Sequence, residues 1–455
     1  MKPWRIPGAA LALALAAPVT LAAPGPAVAG ADRIVSRTLP NGLEVVVWPD
    51  HDIPNVAMYT WYRVGSRNEL PGVTGIAHYF EHMMFNGTKT RPAGEFDRVM
   101  EASGGSNNAF TTQDVTVYIN EFPASALERV FELESDRMRH LDFDPKVVES
   151  ERGVVYSERR VRVDDDNFGT LLEQLRATAF VAHPYQIPVI GWPSDIEGWK
   201  VEDLQAFYRQ YYAPNNAVMF VVGAVEPESV FSLADRYLAP LEAQPQPPPV
   251  TTKEPPQLGE RRFKVMRDAQ APLVAMAWHA SAASARESRV IEVLLAVLGS
   301  GDSSRLHRRL VESEQAAVQV GVDLDEGFDP GLALVYVVVP PGGDAARSER
   351  LVDEEIARLA QDGPTAAELA KARNQALAGF WRGLETLGGK AGALGTYDIF
   401  HGDYRKLFEA PNVYEGITAE DVRKAAATVL RPDNRTVGVL EPGPAAGTRG
   451  AGGGR

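Results

Sequence analysis

Two stretches of the chain repeat one order of hydrophobic patterns. In each stretch, short apolar or alternating runs typical of strands come first, and segments with apolar positions three or four residues apart, typical of helices, follow. The strand-like segments are residues 43–48, 56–63, 263–266 and 273–278, and the helix-like segments are residues 76–85, 127–140, 288–298 and 346–360. Strands that come mostly as hairpins, with helices in blocks, predict an α+β fold and not a doubly wound parallel sheet.

The two stretches also close alike. Each ends with an amphipathic helix, a Pro-x-Asn triplet and an apolar strand. Asp203 and Asp421 lie at the start of these helices, and Pro214 and Pro432 follow eleven residues later in both cases. Agreement in order, spacing and element type predicts a duplication, with two copies of one α+β fold.

A segment rich in Pro, Gln and Thr separates the two copies. Residues 241–258 cannot hold a helix and favour extended backbone, which is typical of a linker. We therefore predict a first domain over residues 33–240 and a second over residues 259–441. The Gly-, Ala- and Pro-rich tail, residues 442–455, is expected to be disordered.

Charge and composition exclude several classes of function. The 455 residues include 46 basic and 60 acidic side chains, a formal charge of −14, which argues against nucleic acid or an anionic membrane as a partner. The chain contains no cysteine, so disulfides, thiol nucleophiles and cysteine-based metal sites are excluded. Any bound metal must be held by carboxylates and by some of the eight histidines.

The N-terminus has the pattern of a secretory signal. Lys2 and Arg5 precede an apolar run over residues 6–23, and Ala27 and Ala29 supply the small residues of a cleavage site. We predict a signal peptide over residues 1–29, with a retained N-terminal anchor as the alternative. No later stretch is apolar enough to span a membrane. These features predict an exported protein, periplasmic or secreted, in a bacterium.

The first copy contains a pattern that suits a metal ion. His78 and His82 lie one helical turn apart, so both imidazoles can bind one ion, and Glu81 borders the same face. This H-x-x-E-H order is the inverse of the H-E-x-x-H motif. The flanking residues are apolar, a costly environment for unpaired charge, which favours a metal as the partner.

A catalytic zinc site needs a third protein ligand and an open position. Asp144 begins a predicted helix that carries Glu149, Glu151 and Glu158. Glu151 and Glu158 are seven residues apart and share a face, so spacing does not choose between them. The alternative is that this helix simply presents an acidic face to solvent.

Together these residues resemble the pitrilysin/insulinase family of zinc peptidases. The resemblance rests on H-x-x-E-H followed by a glutamate seventy-six residues after its second histidine, and it covers about residues 33–440. Within the family, the chain is similar to the branch of the mitochondrial processing peptidase β subunit and its bacterial relatives. The resemblance implies one zinc ion per chain, held by His78, His82 and Glu158. It assigns Glu151 a supporting place beside the ligands.

The resemblance also implies a fold and a reaction. The expected fold is two α/β-roll domains, mostly antiparallel sheets with helices packed on them, which form one half of a clamshell peptidase. Residues 104–111 match the family's substrate-binding edge strand, with Asn108, Ala109 and Phe110 beside the peptide. The expected function is a zinc metalloendopeptidase that hydrolyses enclosed peptides or unfolded polypeptides. Glu81, too short to reach the ion when both imidazoles bind it, is expected to be the general base.

The resemblance further implies a partner subunit. The family's chamber has four related domains, and this chain supplies two. In the family, an Arg and a Tyr seven residues apart reach the substrate from the other half, but the matching positions here are Val311 and Val318. We therefore expect a heterodimer with a homologous subunit that lacks H-x-x-E-H and carries the Arg–Tyr pair. A homodimer is the alternative.

Two other functions compete with the peptidase. One is a non-catalytic scaffold or peptide-binding subunit of a heteromeric complex, and the other is a metal-dependent hydrolase acting on something other than peptide. All three candidate metal ligands and the base are present, which favours the peptidase. Zinc content, measured together with cleavage of casein, separates the three.

Overall fold

The structure is a computed structural model that describes residues 31–443. The predicted signal peptide, residues 1–29, lies outside the described residues, as does the predicted tail beyond Gly443. Within the described range, no helix is long and apolar enough to cross a lipid bilayer.

The strands form two sheets, one in each half of the chain. The strands of the first sheet are β1 (Val35–Thr38), β2 (Glu44–Pro49), β3 (Asn55–Tyr62), β4 (Ser106–Thr111), β5 (Thr116–Pro123) and β6 (Ala217–Gly223). Those of the second are β7 (Arg261–Arg267), β8 (Leu273–His279), β9 (Gln319–Leu324), β10 (Leu332–Val338) and β11 (Arg435–Pro442). They lie on either side of residues 241–258, which contain neither helix nor strand.

Helices follow the strands in blocks. The helices of the first half are α1 (Ile76–Met83), α2 (Glu95–Ala102), α3 (Leu127–His140), α4 (Pro145–Arg159), α5 (Asn167–Ala179), α6 (Pro193–Gly198), α7 (Val201–Tyr211) and α8 (Pro227–Tyr237). Those of the second half are α9 (Arg286–Gly299), α10 (Ala345–Asp362), α11 (Ala366–Gly383), α12 (Leu387–His401), α13 (Ala410–Glu415) and α14 (Ala419–Val429).

The strand order corrects one expectation from the sequence. We expected the strands at residues 43–48 and 56–63 to be hairpin neighbours, but the first sheet has the order β1-β2-β6-β3-β5-β4. The closing strand β6 lies between β2 and β3, parallel to β2 and antiparallel to β3. The linking residues 50–54 are long enough to cross that extra strand, because neighbouring strands are only about 4.8 Å apart.

The second sheet repeats this arrangement, with the order β7-β11-β8-β10-β9. The pairing of residues between neighbouring strands also corresponds in the two sheets, as one pair from each sheet illustrates. Tyr62 faces Thr116 on β5, and Trp278 faces Ala333 on β10. These two mostly antiparallel sheets, with helices packed on them, confirm the predicted α+β class.

The two halves exchange helices across their sheets. Even-numbered residues of β3, such as Met58, face the first half's own helices, whereas Trp61 faces Leu394 of α12 from the second half. In return, Leu171 and Leu175 of α5 pack against the second sheet. Each sheet is therefore covered on one face by helices of its own half and on the other face by helices of the other half of the chain.

The linker is held against the first half. The carboxylate of Glu254 accepts hydrogen bonds from the backbone N–H groups of Val181, Ala182 and His183, just after α5, at 2.9–3.2 Å. The pKa of Glu254 is lowered because these three bonds, together with the charge of His279, outweigh the cost of its burial.

The exchanged helix α12 provides a test of this packing. A β-carbon at Gly395 would overlap the indole of Trp61, whereas one at Gly392 would lie 3.8 Å from the nearest atom, in Tyr59. We predict that Gly395→Ala lowers the free energy of unfolding by about 1–3 kcal/mol, the usual cost of overpacking a core. Urea unfolding followed by circular dichroism measures this change.

The matched control is Gly392→Ala on the same helix. It should leave stability unchanged or raise it, because alanine favours a helix over glycine by about 1 kcal/mol. Equal stability of the two variants would show that α12 does not pack on the first sheet as described.

Candidate metal centre

Helix α1 begins at a constrained turn. Gly75 precedes it with a φ of 84°, in the left-handed region that favours glycine. A side chain there would also meet the carbonyl oxygen of Ile190, 2.6 Å from the added β-carbon. The buried carboxylate of Glu69 accepts hydrogen bonds from the N–H groups of Gly75 and Ala77, at 2.7 and 2.8 Å. These bonds satisfy donors that the first turn of a helix leaves free.

Tyrosine hydroxyls fix α1 laterally. Tyr118 donates to the carbonyl of Phe80 at 2.8 Å. Tyr79, on α1 itself, donates to the carbonyl of Val148 on α4 at 2.8 Å. The second bond ties α1 directly to the helix that carries Glu151 and Glu158.

The structure brings His78, His82 and Glu158 together. Oε2 of Glu158 lies 3.6 Å from Nε2 of His78 and 3.3 Å from Nε2 of His82. Two donor atoms bound at about 2.1 Å to a tetrahedral zinc ion lie about 3.4 Å apart, so the spacing fits one ion. Within residues 31–443, this is the only group of three or more potential metal-ligating side chains whose donor atoms converge in this way.

Glu151 contacts the opposite side of one imidazole. Its Oε1 lies 2.7 Å from Nδ1 of His82, so a proton on Nδ1 leaves Nε2 directed at Glu158. A carboxylate placed in this way orients a metal-binding histidine and raises its basicity. Nδ1 of His78 is buried and has no hydrogen-bond partner among the described residues.

The electrostatics of the three side chains favour a cation between them. Burial opposes a charge on His82, but its contacts with Glu151 and Glu158 outweigh burial and raise its pKa to about 9. Burial and the neighbouring charge of His82 lower the pKa of His78 to about 4. The hydrogen bond with His82 lowers the pKa of Glu158. A divalent ion bound here would replace the proton on His82.

Glu81 lies beside this centre and has its own hydrogen-bond partner. Its Oε2 accepts a hydrogen bond from the hydroxyl of Thr111 at 2.7 Å. Burial raises the pKa of Glu81, and the bond from Thr111 partly opposes that shift. Glu81, Thr111, His78 and Glu158 line one cavity of about 510 Å³.

The predicted substrate strand forms a wall of the same cavity. Among the described strands, β4 pairs only with β5, so its other edge carries backbone groups that can pair with an extended peptide. Oδ1 of Asn108 accepts the N–H of Ala109 at 2.9 Å, and Phe110 contacts the ring of Trp61 edge-on. Asn108, Ala109 and Phe110 all line the cavity.

Sequence reasoning missed two contacts at this site. The hydroxyl of Thr111 reaches Glu81, although the two residues are thirty positions apart in the sequence. Arg162, four residues after Glu158, places Nε 3.0 Å from Oε1 of that glutamate and is 71% exposed. The i,i+4 spacing of Arg162 and Glu158 is a signal that could have identified this ion pair.

Two family models match successive parts of the chain. Residues 45–192 match the family model described as Insulinase (Peptidase family M16). Residues 198–376 match the model described as Peptidase M16 inactive domain. The chain is 32% identical over 419 residues to the zinc protease PqqE of Helicobacter pylori, which covers 90% of this chain and 92% of that protein.

Solved structures show the same fold. A protease from Helicobacter pylori matches with a TM-score of 0.87 and 31% identity, over 90% of this chain and 99% of that one. The periplasmic protease PqqL from Escherichia coli matches with a TM-score of 0.75 and 19% identity, over 94% of this chain but only 49% of that one. At that identity, the second likeness shows the fold alone.

Proposed function

The chain belongs to the insulinase family of peptidases, family M16, and from this membership we propose that it is a zinc metalloendopeptidase acting on peptides or unfolded polypeptides. One observation carries the proposal. The donor atoms of His78, His82 and Glu158 converge on one point. The carboxylate of Glu81 lies beside that point and is not one of the converging groups. The similarity of this chain to the zinc protease PqqE of Helicobacter pylori supports the proposal.

In the proposed site, His78, His82 and Glu158 hold one zinc ion, and Glu151 orients His82 through Nδ1. Zinc bound to two neutral imidazoles and one carboxylate would act as a Lewis acid toward a peptide carbonyl and lower the pKa of water. The donor set suits this ion, because it contains the nitrogen and oxygen donors that zinc prefers.

The remaining chemistry is carried by the chain's own residues. Glu81 takes a proton from the attacking water as general base and then passes it to the leaving amine. Its burial, which raises the pKa of the carboxyl, suits both steps. The peptide pairs by its backbone with the free edge of β4, where Asn108, Ala109 and Phe110 lie, so binding tolerates varied sequences.

A second candidate is a non-catalytic peptide-binding or scaffold subunit. The match of residues 198–376 to a domain described as inactive favours it. That match, however, begins after the metal centre, since its first residue follows Glu158. Because the base and the three converging side chains are all present in the first half, we favour the catalytic function.

We further propose that the enzyme is completed by a homologous subunit. The fold corresponds to about half of the PqqL chain, 49% of its length, which supports the pairing of two such units in one peptidase. Val311 packs against the hydrophobic core of the second half, and Val318 is exposed. Neither side chain can donate a hydrogen bond to substrate. The proposed partner lacks H-x-x-E-H and carries the Arg–Tyr pair, and a homodimer is the alternative.

Two further side chains of the second half, Arg309 and Tyr336, make contacts within this chain. The guanidinium of Arg309 contacts Glu314 at 3.1 Å and Glu354 at 3.3 Å. The ring of Tyr336 packs edge-on against Phe168, with 5.0 Å between the ring centroids. The ion pairs of Arg309 support the proposal that the donors for the reacting carbonyl come from another chain.

We also propose that the protein is exported to the periplasm of a bacterium or secreted. Lys2 and Arg5 before an apolar run, with Ala27 and Ala29 after it, support this placement. The absence of cysteine is compatible with an oxidising compartment, since a core of this size needs no disulfides.

The roles of ligand and base can be separated by two substitutions. Glu81→Gln should retain one zinc ion per chain and reduce kcat by about 100- to 10,000-fold, because it removes the base and no ligand. His82→Ala should lose the zinc. Elemental analysis of the purified protein measures the metal, and hydrolysis of fluorescein-labelled casein measures turnover. Near wild-type cleavage by Glu81→Gln, or stoichiometric zinc in His82→Ala, would overturn the assignment.

The partner proposal predicts weak activity for the chain alone. Mixing with a co-encoded homologue that lacks H-x-x-E-H should raise casein cleavage by about 100-fold or more, the usual value of one oxyanion donor. The same homologue with its Arg replaced by Ala is the control and should give no increase. Full activity of the isolated chain, unchanged by the homologue, would contradict a heterodimer.

A further inference from the structure

We propose that Thr111 is a positioning residue for the reaction: its hydroxyl holds the Glu81 carboxylate and thereby couples the peptide-binding strand to the general base. This inference rests on the proposed function of Glu81. The hydroxyl Oγ1 donates to Oε2 of Glu81 at 2.7 Å. Within residues 31–443 this is the only hydrogen bond that the carboxylate receives from another side chain.

The alternation of β4 explains why this hydroxyl faces α1. Asn107 donates to Asp97 on α2 at 2.8 Å, so odd-numbered residues of the strand face the helices. Phe110 lies on the opposite face, against Trp61. A slip of one residue would turn every side chain to the other face, and Glu81 would lose its partner. The contact of Phe110 with Trp61 therefore fixes the register that presents Thr111 to the base.

The turn after Thr111 is held by groups from both halves. The carboxylate of Asp114 contacts Nη1 of Arg67 at 2.9 Å and accepts the hydroxyl of Tyr185 at 2.7 Å. It also accepts the backbone N–H of Phe328, from the second half, at 3.1 Å. Thr111 thus lies at the end of a strand whose turn cannot move without breaking bonds to the second half.

The second copy supports a role that is specific to the reaction. Thr111 faces Thr116 on β5, and the equivalent position on β9 is Leu324, which faces Ala333 on β10. Leucine has no hydroxyl. The hydroxyl is therefore present in the copy that holds the metal-ligating side chains and absent from the other.

Thr111 acts on the reaction through the position of the Glu81 carboxylate. A peptide added along β4 pairs with the backbone of the same strand whose side chain fixes Glu81. The carboxylate and the scissile bond are then positioned by one rigid element. Misplacing a catalytic group by about 1 Å can cost about 100-fold in rate, so this coupling matters for kcat more than for binding.

Two substitutions of Thr111 test the proposal. Thr111→Val keeps the shape and removes the donor, and Thr111→Ser keeps the donor. We expect Thr111→Val to lower kcat for labelled casein by about 10- to 100-fold, with KM changed less than about twofold and one zinc ion retained. Thr111→Ser should restore most of the wild-type kcat. A raised KM with unchanged kcat would instead make Thr111 a peptide-binding residue and overturn the proposal.

Crystal structures of the zinc-loaded variants supply a readout that does not depend on activity. The Glu81 carboxylate should keep its wild-type position in Thr111→Ser and adopt another rotamer in Thr111→Val. An unmoved carboxylate in Thr111→Val would overturn the proposal even where turnover is lost. If the wild-type protein cleaves no polypeptide, the proposed function fails, and the crystal structures still decide whether Thr111 positions Glu81.

Discussion

The structure depends on one constraint: the carboxylate of Glu158 on α4 must meet two imidazoles on α1. Half-buried charged groups are costly without partners, so the two helices must be held firmly in register. The bond from Tyr79 to the carbonyl of Val148 does this directly. Helix α4 also continues through a π-turn, Arg160–Asp164, toward α5, which packs on the second sheet. The second half thus positions a side chain of the metal centre without contributing one.

The duplication explains how the two copies differ at equivalent places. Helix α9, the counterpart of α1, presents Arg289, whose guanidinium contacts Glu292 at 2.9 Å and Glu326 at 2.8 Å in a cavity of about 730 Å³. The same contacts with acidic groups raise the pKa of Arg289 despite its burial. In the second copy the cation is therefore a side chain, whereas in the first copy the acidic and imidazole groups surround a place that a metal ion fits.

Much of this could be predicted from sequence, and the gaps have physical causes. The 3.6-residue period located α3 at residues 127–140, the bounds found in the structure. The apolar pattern of a strand, however, shows which of its side chains are buried and not which strands lie beside it. The position of β6 between β2 and β3 was therefore missed. The packing of α12 on the first sheet and of α5 on the second was missed for the same reason, because an amphipathic helix pattern does not show which sheet the helix packs against. Glu151 and Glu158 share a helix face, so helical spacing did not choose between them and the choice of Glu158 came from the family resemblance. The packing of α4 on α1 shows the physical difference, with Glu151 at Nδ1 and Glu158 at Nε2 of His82.

The binding of one zinc ion by His78, His82 and Glu158 is tested most directly by an anomalous difference map at the zinc edge, from crystals of the zinc-loaded protein. We expect one peak per chain, at about 2.0–2.2 Å from Nε2 of His78, Nε2 of His82 and a carboxylate oxygen of Glu158. Glu151 should remain on Nδ1 of His82, outside the coordination sphere. A peak bonded to Glu151 in place of Glu158, or zinc bound elsewhere in the chain, would show that His78, His82 and Glu158 do not form the metal centre.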